Sequence, residues 1–210
     1  MGLGIAKMTM PGTGSMIAGQ VSGSSTNQPI KDAFDTKATN LRVMMNTLLR
    51  EHAAFGANTL IALYTGADTS KLEQLMKTNG TELMAVIQNI YGSSTANTFS
   101  NLWTKHMEEY KNYTIARKNT DNNGMTTARQ HLQAIATDIG NLIAGRSKNL
   151  ASSDVSSLMM EHINGTLAIV DAVAKGNATS SASLMKTAYD QAGTFADVLT
   201  KGMILDKKNW

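Results

Sequence analysis

Two stretches of the chain decide its fold: EHAAFGANTLIALYTG at residues 51–66 and EHINGTLAIVDAVAKG at residues 161–176. Each begins with a Glu-His pair and ends at a glycine, Gly66 or Gly176, fourteen positions after the histidine. A second match supports the first, because Leu-Met-Lys-Thr at 75–78 recurs at 184–187, displaced from the first register by one residue. Repeats of this kind are typical of duplicated helix pairs, which cannot bury their apolar faces alone.

Apolar residues recur at helical spacing on both sides of these stretches and predict six helices. Four of them are predicted at 32–64, 95–118, 125–144 and 179–203. The second helix is expected to start at a cap within 68–70 and to end at 91, and the fifth to start at a cap within 152–154 and to end at 175. The stripe expected to face inward on the second helix includes Leu72, Leu75 and Met76. The polar run at 119–124 is expected to be a loop. Short connections favour antiparallel neighbours, so the expected fold is an all-α antiparallel bundle of duplicated helix pairs at residues 32–210.

An irregular N-terminal arm is expected at residues 1–31. Its many glycines and Pro11 oppose a stable helix. It is nevertheless apolar for a solvated tail, through Ile5, Met8, Met10, Met16, Ile17 and Val21. Two interpretations stay open: a disordered leader, or an extended segment that becomes ordered on a neighbouring subunit.

Composition narrows the function classes. The net charge is +3 with only 17% charged residues, and the basic residues form no concentrated stripe, which argues against nucleic acid as a partner. No run of eighteen apolar residues occurs, so no transmembrane segment is expected. Cysteine is absent, which excludes disulfides and thiolate chemistry. No nucleotide-binding or hydrolase motif is present, and we expect neither an enzyme nor a bound cofactor.

The chain also resembles a family of small all-helical proteins from spore-forming Gram-positive bacteria. The resemblance covers roughly residues 41–203 and rests on Glu-His at 51–52, Leu-Met-Lys-Thr-Asn at 75–79, Ile-Tyr-Gly at 90–92, Phe-x-x-Leu-x-x-x-His at 99–106, Glu-His at 161–162, and Ala-Asp with Gly202 near the end. The resemblance implies an all-helical fold and a bacterial origin. It implies no function, because the family has no established activity. The chain departs from the family in its glycine-rich arm and in His131, where an aromatic residue is common.

Three histidines, His52, His106 and His162, fall on the apolar stripes of three different predicted helices. Histidines on facing bundle helices can hold iron, zinc or haem. A di-iron carboxylate site is not expected, since Glu51 and Glu161 adjoin their histidines and are turned about 100° away around the helix. The alternative is that each histidine is a buried polar residue hydrogen-bonded within the bundle. Helix order alone does not show whether the three converge.

The leading functional hypothesis is a non-enzymatic structural protein that assembles through its arm into a filament or surface layer. A segment of this character has little use in an isolated monomer, whereas docking into a neighbour would bury it and create a head-to-tail polymer. The expected location is then extracellular or on the cell or spore surface, with the cytoplasm as the alternative. The competing hypothesis is a metal- or haem-binding bundle that uses His52, His106 and His162.

Overall fold

The computed structural model of the protein describes residues 36–207 and is built from helices. The part of the chain that it describes contains α1 (Lys37–Thr65), α2 (Ser70–Tyr91), α3 (Ser93–Lys118), α4 (Asn122–Ala144), α5 (Ser152–Ala174) and α6 (Ala178–Asp206). Six helices without a strand in this range confirm the predicted all-α class. Antiparallel order and duplication stay predictions.

Local capping chemistry sets the helix ends and explains where the predicted bounds were wrong. Gly66 ends α1 in the left-handed conformation, with φ of 80°, which glycine adopts without steric cost. The run at 119–124, predicted to be a loop, does end α3 at Lys118, but only 119–121 connect the helices and 122–124 begin α4. The Asp121 side chain accepts a hydrogen bond from the Gly124 amide, so the helix begins three residues earlier than predicted. α3 likewise begins two residues early, directly after Gly92.

The helices pack in chain order and then close on themselves. Each helix contacts the next one in sequence, and α1 also packs extensively on α6. The odd-numbered helices additionally contact one another in pairs: α1 with α3, α1 with α5, and α3 with α5. These three helices therefore form the centre of the bundle.

The apolar stripes read from the sequence line this centre, with one error on α2. Met45, Leu132 and Ile163 have no exposed surface. Leu75, expected to face inward, is 44% exposed. Its neighbour Met76 is buried instead; successive helical residues point about 100° apart, and the core lies on the Met76 side of α2.

Several sequence predictions lie outside the described residues. These are the arm residues Ile5, Met8, Met10, Met16, Ile17 and Val21. Within residues 36–207, no helix combines the length and apolar character needed to cross a membrane.

Candidate metal centre

The three histidines predicted to face inward lie near the middle of three different helices. His52 belongs to α1, His106 to α3 and His162 to α5. They are 2%, 0% and 6% exposed. One ring nitrogen from each lies within 4.8 Å of the corresponding nitrogens of the other two. The structure therefore brings together three side chains whose convergence the sequence left open.

The packing of the odd-numbered helices explains this convergence. Since α1, α3 and α5 contact one another in pairs, residues at the middle of their inner stripes meet on a common axis. The ring centroid of His52 lies 5.3 Å from that of His106 and 5.4 Å from that of His162. The centroids of His106 and His162 are 6.3 Å apart. The three imidazoles thus form a compact triangle, which we call the histidine cluster.

Hydrogen bonding defines the tautomer of one ring and leaves a nitrogen of every ring without a partner. Nδ1 of His106 lies 2.6 Å from the backbone oxygen of Trp103. A carbonyl only accepts, so Nδ1 carries the proton and Nε2 presents a lone pair. That Nε2, Nδ1 of His52 and Nε2 of His162 are buried and have no hydrogen-bond partner. A histidine that donates one ring N–H to a backbone carbonyl and offers its other nitrogen is oriented as metal-binding histidines usually are.

Burial keeps all three histidines neutral. It lowers the pKa of His106 to about 3 and that of His162 to about 4. The pKa of His52 falls well below its usual value, first through burial and then through the nearby His106 and His162. The charged form is disfavoured in each case because the protein interior solvates it poorly. A neutral imidazole is the form that binds a metal ion.

Aromatic residues of α3 form the walls of the cluster. The Trp103 ring lies 4.4 Å from His52 and 4.5 Å from His106, centroid to centroid. The Tyr110 ring meets His106 edge-on at 5.3 Å and His162 at 6.0 Å. The Tyr110 hydroxyl is buried without a hydrogen bond of ordinary geometry, and burial raises the pKa of Tyr110 above its usual range. These rings shield the histidines from water.

Two small cavities adjoin the histidine cluster, each about 10 Å³ in volume. Met159 and Phe195 contribute to one of them, and Met107 and Tyr110 to the other. Both cavities are also lined by His52 and His162. Each has room for about one atom-sized occupant.

Within residues 36–207, no carboxylate belongs to the histidine cluster. The potential metal ligands that lie together there are the three histidines alone. Glu109, one turn after His106, turns instead toward the exposed His131, whose Nδ1 lies 3.0 Å from its carboxylate. Glu51 lies near the buried amide of Asn79, at 3.5 Å. The donor set is therefore uncharged.

Sequence reasoning missed the two methionines that line the cavities. Met159 precedes His162 by three residues, a spacing that places both on one helix face, so this signal was present in the sequence. Met107 directly follows His106 and therefore points about 100° away from it on the same helix. No spacing rule could have assigned Met107 to the cluster, because other helices complete the cavity that it lines.

Fold and site together define the class of protein as an all-α bundle with a buried three-histidine centre. Comparison of the chain with family models, curated proteins and solved structures returns no match.

Proposed function

We propose that the protein binds a single metal ion between His52, His106 and His162. Two observations carry the proposal: each of the three buried histidines has a ring nitrogen without a hydrogen-bond partner, and one ring nitrogen of each lies within 4.8 Å of those of the other two. A buried polar atom without a partner costs about 1–3 kcal/mol. Three such atoms side by side would weaken the fold substantially, whereas a cation accepts all three lone pairs at once.

The spacing of the nitrogens suits an ion after a small adjustment. A tetrahedral ion holds imidazole nitrogens at about 2.0–2.1 Å, which places them about 3.4 Å from one another. The nitrogens of the cluster lie within 4.8 Å. Closing on an ion therefore requires each ring to move by less than about 1 Å, a shift that small side-chain rotations supply.

A trapped water molecule is the competing occupant. Water can donate to two lone pairs. It could therefore serve all three nitrogens only if one ring turned an N–H toward it, whereas an ion accepts a lone pair from each ring. An ion also fits the neutral state of the histidines, because binding need not displace a proton from the liganding nitrogens.

The proposal is confined to a single ion. The haem version of the metal hypothesis would need space for a porphyrin beside the histidines. The adjoining cavities are about 10 Å³ each, and the indole of Trp103 packs against both His52 and His106.

Elemental analysis of the full-length, untagged protein tests the proposal. After dialysis with Zn²⁺ or Co²⁺, or anaerobic loading with Cu⁺, and removal of loosely bound ions, we expect one ion per chain with at least one of these metals. His106→Gln should abolish binding because it removes the oriented lone pair. His131→Gln is the matched control, since His131 is exposed and lies outside the cluster, and it should bind as the wild type does.

Two results would refute metal binding at this site. One is the absence of stoichiometric binding for every ion tested. The other is equal binding by wild type and His106→Gln, which would place the ion elsewhere. Circular dichroism and a urea titration of each variant show whether lost binding reflects lost folding instead of a lost ligand.

A further inference from the structure

The geometry points to monovalent copper as the ion, held by the three imidazoles with the Met107 thioether beside them. The inference rests on the proposed function and specifies its metal. Three features carry it: an uncharged donor set, methionine side chains lining the cavities, and a cleft containing three methionines that shares Met107 with one of those cavities.

Charge is the first argument. The cluster contains no carboxylate, and the two adjoining cavities are lined by uncharged residues, among them Trp103, Tyr110 and Thr166. The cost of burying an ion rises with the square of its charge, so a divalent ion costs about four times as much as a monovalent one in the same medium. A buried neutral site without a counter-charge therefore favours Cu⁺ over Zn²⁺.

The closed shape of the site strengthens the charge argument. Zinc bound by three histidines keeps a fourth position for water, and loss of a proton from that water offsets one positive charge. Here the cluster is buried, and Trp103 packs against two of its three rings. Monovalent copper needs no fourth ligand, since three neutral donors complete its coordination.

Ligand softness is the second argument. Met107 and Met159 line the two cavities that adjoin His52 and His162. Thioether sulfur is a soft donor that selects Cu⁺ among biological first-row ions, while zinc sites draw on imidazole, thiolate and carboxylate. Methionine side chains lining the cavities beside His52 and His162 therefore match copper better than zinc.

A cleft of about 420 Å³ between α2 and α3 supplies the third argument. Three methionines line it: Met76, Met84 and Met107. Met107 also lines the inner cavity with His52 and His162, so it belongs to both spaces. The cleft therefore offers soft thioethers beside the charged residues Glu73, Lys77 and Lys111, and Met107 is the residue that it shares with the inner cavity.

An anaerobic titration of the full-length, untagged protein with Cu⁺ tests the inference. Bicinchoninate serves as the coloured competitor, and a parallel titration uses Zn²⁺ with a zinc indicator. We expect one Cu⁺ per chain, bound at least about a hundredfold more tightly than Zn²⁺. Met107→Leu should weaken Cu⁺ binding by about tenfold and change Zn²⁺ affinity by less than about twofold. Met44→Leu, at an exposed position of α1, is the matched control and should change neither affinity.

The outcomes separate this inference from the function on which it rests. If neither ion binds, metal binding itself fails. If Zn²⁺ binds as tightly as Cu⁺ and His106→Gln abolishes that binding, the metal site stands and the assignment to copper is overturned. If Met107→Leu binds Cu⁺ as tightly as the wild type does, the Met107 thioether is not part of the site. X-ray absorption of the copper-loaded wild type gives an independent reading, since a sulfur neighbour beside the imidazole nitrogens is expected and its absence counts against Met107.

Discussion

At the scale of single residues, burial without a charged partner fixes the protonation state of the histidine cluster. His106 and His162 have pKa values of about 3 and 4 in the fold, against about 6.5 for an unperturbed histidine. The cavities beside them are lined by uncharged residues, so no carboxylate there stabilises an imidazolium. Neutrality prepares the rings for a metal and also makes the fold sensitive to acid.

The first prediction at this scale concerns the pH dependence of stability in the metal-free protein. Between about pH 6.5 and pH 4 the unfolded chain binds protons at these histidines and the folded chain does not, so the free energy of unfolding falls as the pH falls. We expect a loss of ~2 kcal/mol per histidine between pH 7 and pH 5. Urea titrations at both pH values, with chelator present, measure it.

His106→Gln should remove roughly one third of this pH dependence, because one of three buried titrating groups is gone. His131→Gln, which replaces an exposed histidine outside the cluster, is the control for the substitution itself. A free energy of unfolding that does not change between the two pH values would show that the histidines titrate normally in the fold.

At the scale of helices, close contact between α4 and α5 depends on a residue without a side chain. A Cβ placed on Gly140 would lie 2.7 Å from the backbone oxygen of Ser152 and closer still to the Ser156 side chain. Backbone cannot move aside as a flexible side chain can, so an alanine there would push the two helices apart. Helix propensity alone would favour alanine.

We therefore expect Gly140→Ala to destabilise the protein by about 1–3 kcal/mol, because overpacking outweighs the gain in helix propensity. Gly165→Ala, within α5, is the matched control. A Cβ at Gly165 meets nothing within 4 Å, so this substitution should stabilise the protein by about 0.5–1 kcal/mol. Urea-induced unfolding of both variants measures the difference. Equal effects would mean that the α4–α5 contact yields at little cost.

At the scale of the whole molecule, α1, α3 and α5 form the centre of the bundle. The assembly hypothesis concerns the N-terminal arm, residues 1–31, and not this bundle. Assembly through the apolar arm stays a prediction, because residues 1–31 lie outside the described part of the chain. The surface location and the absence of a nucleic-acid partner also stay predictions. Metal binding and assembly are compatible, since one uses the core and the other the arm.

Negative-stain electron microscopy of the full-length protein beside a chain beginning at Asp32 tests the arm. We expect filaments or sheets from the full-length protein, because docking of the arm would bury its apolar residues. The shortened chain should give single particles. Single particles from both chains would rule out assembly through the arm under these conditions.

The sequence by itself determined the number of helices, most of their ends and which residues face inward. Such properties depend on spacing and capping within one helix, as Gly66 at the end of α1 shows. The pattern placed both Leu75 and Met76 on the inner face of α2 and could not show which of them is buried; in the structure it is Met76. The polar run before α4 was likewise ambiguous, since Asp121 serves a loop or a cap equally well.

Only the tertiary structure decided that His52, His106 and His162 meet and that Met107 lies beside them. An apolar stripe specifies that a residue points into the core, but not which helices lie opposite it. That choice depends on how six stripes fill one common interior, a property of all the helices at once. The same packing left a ring nitrogen of each histidine without a partner and brought the three rings together, an arrangement that no single helix contains.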